Sequence, residues 1–137
     1  MTDPLATAVT QGIAARGARF AFGVPGGGPN LDVVGALTAA GVEFVLTHGE
    51  TAAAIMAGTY GLLTGAPTLA LATRGPGATS AVNGAAQATL DRTPLLLVTD
   101  TVHAADAGRV AHQRVDQRAL FAPTARSSAW SATAGWA

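Results

Sequence analysis

The chain holds two glutamates, Glu43 and Glu50, and the second stands where a carboxyl group could do chemistry. In "FVLTHGETAAAIMAGTYGLLTG", residues 44–65, Phe44, Val45 and Leu46 read as a short buried strand. The small-residue run from Thr51 reads as a helix, so Glu50 falls at its mouth. A carboxyl group there could hold or pass a proton, although on position alone a helix-dipole partner is the simpler reading. Two Gly-rich stretches, "GVPGGGPN" and "TRGPGATS", would let backbone approach a flat or anionic ligand with no Cβ in the way. Tight-turn packing explains such loops as readily. Neither completes a dinucleotide fingerprint, since Gly26, Gly28 and Leu31, and likewise Gly75, Gly77 and Ser80, lack the third glycine. Arg74 beside the second loop could bind an anion or be solvated. His48 reads as a loop or packing histidine, and His103 and His112 lack metal-ligand spacing.

These residues need elements to position them. Asp3 and Pro4 read as the cap and first residue of a helix over residues 4–17. "RFAFGV" gives a strand at 19–24, and Leu31 to Ala40 a helix with Asn30 as its cap and Gly41 just past its end. "VEFVL" is a second strand, residues 51–64 a helix stopped by Gly65, and "PTLALAT" at 67–73 a third strand. A helix from about residue 78 to 91 leads to the strand "PLLLVTD" at 94–100, and "VDQRALF" can form one more helix. Apolar strands alternating with helices predict an α/β fold, a doubly wound parallel sheet with helices on both faces. In such sheets ligands gather outside the carboxyl ends of the strands. That places "GVPGGGPN", "THGE", "TRGPGATS" and "TDTVHAAD" at one end of the fold.

Composition excludes several classes of function. The 137 residues include no cysteine and no lysine, which removes disulfides, thiolate and Schiff-base chemistry and the lysine of a Walker loop. Net charge is zero, giving no electrostatic case for nucleic acid or an anionic membrane. No apolar run approaches bilayer-spanning length and "MTDPLATAV" lacks a signal-peptide pattern, so a cytoplasmic location is expected. The chain is 49% hydrophobic but 12% charged, against about 25% charged in an ordinary soluble domain. That imbalance predicts an apolar surface covered by another domain or subunit.

The stretches "FGVPGGGPNLDVVGAL", "FVLTHGETAAAIMAGTYGLLTG", "ATRGPGATSAVNGAAQATLDRTPLLLVTD" and "HQRVDQRALFAP" occur in an order and at a spacing that resemble one family. It is the N-terminal, pyrimidine-binding domain of thiamine-diphosphate enzymes, nearest to acetolactate synthase and its relatives. The resemblance covers about residues 5–126. It implies that Glu50 is catalytic, hydrogen-bonding N1′ of the cofactor's aminopyrimidine. A proton shared there lets the 4′-nitrogen take the C2 proton of the thiazolium, and burial among few charges favours the protonated carboxyl group. It further implies that Val24, Pro25 and Gly26 line the pyrimidine ring, that Thr73, Gly75, Pro76 and Gly77 form a second loop against the cofactor, and that Gln113 lies close to the active site. Gly49 stands where the family commonly has histidine, Ser80 where asparagine is frequent, and His112 and Arg114 flank Gln113 in place of Phe and Glu. These departures spare the activation step and bear on contacts with substrate.

The family's Gly-Asp-Gly and Asn-Asn segments, which hold the diphosphate through a divalent metal, do not occur in the chain. The resemblance therefore implies residues 1–122 as the pyrimidine-binding domain and 123–137 as a linker-like tail toward an absent domain. Magnesium would enter only through a diphosphate-binding domain or subunit, with a 2-oxo acid as substrate and a homo-oligomer as the assembly. Either a partner chain completes the site or the chain is a truncated product, the latter being favoured. The rival expectation is a non-catalytic binding or assembly module that keeps the fold without a working site.

Overall fold

The computed structural model describes residues 3–102, 106 and 108–127. His103 and the last ten residues of the expected tail lie outside the described residues. Helix α1 spans Pro4–Ala14, with Asp3 capping it by accepting from the Leu5 amide at 2.8 Å. Strand β1 (Phe20–Val24) leads to α2 (Pro29–Ala39), β2 (Glu43–Leu46) to α3 (Glu50–Thr64), and β3 (Thr68–Ala72) to α4 (Pro76–Leu90). Strand β4 (Leu95–Thr99) and the short helix α5 (Gln117–Phe121) complete the described elements.

All strand pairs are parallel, in the order β2-β1-β3-β4. Alternation along the strands sorts the two faces. Ala21, Leu69 and Leu71 point toward α1 and α2, where they join Ile13, Val33 and Leu37 in one core. Phe22 and Ala70 point the other way, onto Ala53, Ala54 and Ala57 of α3. Tyr60 of α3 closes this second core by standing edge-on to Phe20, with ring centroids 5.5 Å apart. Strand β3 is buried at every residue, as a central parallel strand covered on both faces must be. The doubly wound arrangement with helices on both faces is therefore present.

Helix α3 packs closely on α4 where the contact surface is glycine and alanine. A Cβ at Gly84 of α4 would lie 2.4 Å from the Ala54 Cβ and 3.0 Å from the Thr51 carbonyl oxygen. The Thr51 hydroxyl donates to the Ser80 carbonyl, which ties the first turn of α3 to the second turn of α4. The position of Glu50, one residue before Thr51, thus depends on this helix pair.

Several boundaries depart from the sequence expectation. Asn30 is not the cap of α2: Gly28 is, at φ 57°, and Pro29 takes the first helical position, to which its fixed φ is suited. Helix α4 likewise starts at Pro76 behind a Gly75 cap, so Pro76 and Gly77 are first-turn residues rather than loop. Helix α1 stops at Ala14 instead of running to 17. Strand β2 is not buried, because it forms the sheet edge: Phe44 and Val45 are half-buried and Leu46 is 70% exposed.

Candidate functional site

The chain leaves β1 toward α2 on one face of the sheet and leaves β3 toward α4 on the other. Because β1 and β3 are neighbours, their carboxyl ends flank a crevice, the place where an open parallel sheet holds its ligand. Val24 ends β1, and half-buried Pro25 and Gly26 continue it along one wall. Thr73 follows β3 on the opposite wall. The two walls touch: a Cβ on Gly26 would fall 2.3 Å from the Thr73 hydroxyl oxygen.

Glu50 enters from α3 as its first residue, behind the extended N-cap residue Gly49, which has no side chain to cap the helix. The Thr47 hydroxyl donates to the Gly49 carbonyl at 3.1 Å and shapes that entry turn. A Cβ on Gly77 would lie 3.1 Å from Glu50 Oε1 and 2.7 Å from Thr73 Cγ2. Glu50, Thr73 and Gly77 are therefore in mutual reach, and Gly26 joins them through Thr73. Glu50 is half-buried rather than sealed from water. Among the described residues, no hydrogen-bond or ion-pair partner reaches its carboxyl group.

Gln113 reaches the same loop by another route. Its backbone packs on Gly75, where a Cβ would meet the Gln113 carbonyl oxygen at 2.7 Å, and its Oε1 accepts from Arg74 Nε at 3.0 Å. Arg74 is accordingly engaged with protein groups, which disfavours both earlier readings of it, open anion site and solvated loop residue. His48 and His112 are exposed.

Two site residues escaped the sequence reading. Asp100, at the end of β4, is 1% exposed; its Oδ1 accepts from the Arg74 amide at 2.8 Å and from Asn30 Nδ2 at 3.0 Å. Asn30 Oδ1 in turn accepts from the Gly26 amide at 3.0 Å. One buried carboxylate therefore fastens the loops after β1, β3 and β4 to each other, as a buried charge surrounded by donors can. An acid directly behind the apolar run "LLLVT" was the available signal.

The arrangement sets glycine and threonine residues of two loops beside an uncommitted carboxyl group, which offers one directional proton site. Beside Gly27, Gly28 and Gly49 an added Cβ would meet nothing within 4 Å, so the chain leaves space along this end.

The sequence model of the thiamine pyrophosphate enzyme N-terminal TPP binding domain matches residues 4–120. The chain is 40% identical over 113 residues to a 2-hydroxyacyl-CoA lyase of Oryza sativa subsp. japonica, covering 82% of this chain and 19% of the relative. It is 40% identical over 108 residues to the acetolactate synthase isozyme 2 large subunit of Escherichia coli, covering 79% and 20%. Among solved structures, a thiamine diphosphate-dependent 4-hydroxybenzoylformate decarboxylase of Rhodococcus jostii RHA1 superposes with a TM-score of 0.77 at 26% identity, covering 92% of this chain and 24% of that one. The chain spans about a fifth of the length of the curated relatives it matches.

Proposed function

The chain belongs to the N-terminal TPP-binding domains of thiamine pyrophosphate enzymes, and from that premise we propose that it forms the pyrimidine-binding half of an active site for 2-oxo acids. When bound, thiamine diphosphate supplies the carbon nucleophile that attacks the substrate's carbonyl. The observation that carries the reading is the uncommitted Glu50 carboxyl group, held at the β1/β3 crevice within reach of Thr73 and Gly77. In the proposed site, Glu50 holds a proton at N1′ of the pyrimidine and so tunes the basicity of the ring's amino group. Val24, Pro25 and Gly26 form one wall of the ring pocket. Thr73, Gly75, Pro76 and Gly77 form the other, and Gln113 stands beside it.

The diphosphate and its magnesium are assigned to a further domain or subunit, with residues 1–122 as this domain and 123–137 leading toward the next. A cytoplasmic location belongs to the same proposal; among the described residues, no helix is long and apolar enough to cross a membrane. A second subunit is proposed to cover the outward face of α3, where Met56, Leu62 and Leu63 are 42%, 58% and 79% exposed.

Calorimetry tests the reading. The chain completed by a Gly-Asp-Gly and Asn-Asn domain should bind thiamine diphosphate with magnesium, and Glu50→Ala should weaken that binding. Equal binding by the Glu50→Ala protein would contradict the assignment.

A further inference from the structure

Asp100 and Arg74 take no part in the proposed proton chemistry, yet their contacts end on Gln113. Asp100 grips Arg74 at both ends: Oδ1 accepts from its backbone amide at 2.8 Å, and Oδ2 lies 3.7 Å from its Nη1. Nη1 also donates to the Thr101 carbonyl at 3.4 Å. With the guanidinium held this way, Nε donates to Gln113 Oε1 at 3.0 Å. Arginine has donors only. Gln113 must therefore turn its carbonyl toward Arg74, which leaves its NH2 group as the end it can offer a ligand.

We propose that Asp100 and Arg74 are positioning residues that fix Gln113 as a hydrogen-bond donor to an oxygen acceptor of the substrate. The orientation follows from the contacts alone; the identity of the acceptor, a carbonyl or carboxylate oxygen of an oxo acid, rests on the proposed function. Lysine cannot replace Arg74 in this role, because a single ammonium group lacks the planar fork that reaches two partners in fixed directions.

The test is the side-chain amide spectrum of the 15N-labelled 137-residue chain. Arg74→Lys, at a site whose side chain is 32% exposed, should move the Gln113 NH2 resonances toward those of free glutamine, and Asp100→Asn should shift them in the same direction. For the Arg74 variants the Gln117 resonances serve as the internal control, since that side chain accepts from the Thr99 hydroxyl at 2.6 Å and donates to the Asp100 backbone carbonyl at 2.8 Å and should stay in place. A Gln113 signal unmoved by Arg74→Lys and Arg74→Gln in folded protein overturns the proposal, and a lowered melting temperature without that movement makes Arg74 a stability residue only.

In the completed enzyme, Arg74→Lys should raise KM for the oxo acid about 3- to 10-fold, the loss of one neutral hydrogen bond, with kcat changed by less than about 2-fold. A loss confined to kcat overturns the substrate-facing part. If the completed enzyme fails to bind the cofactor, the proposed function falls while the amide spectrum still decides the orientation of Gln113.

Discussion

Gly84→Ala and Gly35→Ala make the same chemical change in two helices and should have opposite effects. At Gly84 the new Cβ would start 2.4 Å from the Ala54 Cβ and 3.0 Å from the Thr51 carbonyl oxygen. Carbon atoms rest about 3.5–4.0 Å apart, so α3 and α4 must separate by roughly 1 Å. Overpacking of this kind costs about 1–3 kcal/mol, and the better helix propensity of alanine returns only about 0.5–1 kcal/mol. The net loss of ~1–2 kcal/mol should lower the melting temperature by roughly 3–8 °C. Gly35 of α2 meets nothing within 4 Å, so there the propensity gain stands alone and should stabilise by about 0.5–1 kcal/mol. Thermal and urea melts of the two variants decide the matter. A Gly84→Ala protein as stable as the Gly35→Ala protein would refute the close-packing argument, and with it the claim that this helix pair sets the position of Glu50.

Gly77→Ala should cost about 1–3 kcal/mol and a few degrees of melting temperature, because its new Cβ would lie 2.7 Å from Cγ2 of the stiff, β-branched Thr73 and 3.1 Å from Oε1 of the Glu50 carboxyl group. By displacing that carboxyl group it should weaken cofactor binding by the completed enzyme ~10-fold, measured by calorimetry. The chain alone should bind thiamine diphosphate and magnesium weakly and should not decarboxylate pyruvate; micromolar binding or clear turnover would contradict the assignment of the diphosphate to another domain. Leu62→Glu with Leu63→Glu should reduce self-association in sedimentation while leaving the fold intact, since both side chains face outward on α3. Unchanged association would place the subunit contact elsewhere.

The alternation of apolar strands with capped helices made the layer architecture legible, because Asp3, Gly41 and Gly65 mark helix ends through purely local chemistry. The four loops at the strand ends were legible for the same reason, once the sheet was parallel. Asn30 was misread because capping preference is a local rule, whereas its partner Asp100 lies 70 residues away. That long-range pair overrides the local preference and buries Asn30 in the first turn of α2. The exposure of Leu46 depended on strand order, which puts β2 at the edge; an apolar run does not reveal its place in a sheet. The role of Arg74 was hidden likewise, since a loop arginine shows its partner only when β4 is set beside β3.

Glu50 is the proposed proton carrier at N1′, and hydrogen–deuterium exchange at C2 of thiamine diphosphate in the completed enzyme reads that role. Glu50→Gln keeps the shape of the side chain and a hydrogen bond to N1′ but has no titratable proton to share. Exchange should slow by roughly 10²–10⁴-fold, the usual contribution of general acid–base assistance, with a melting temperature held or raised. Unchanged exchange together with a loss of about 0.3–1 kcal/mol of stability would instead make Glu50 a helix-dipole carboxylate and nothing more.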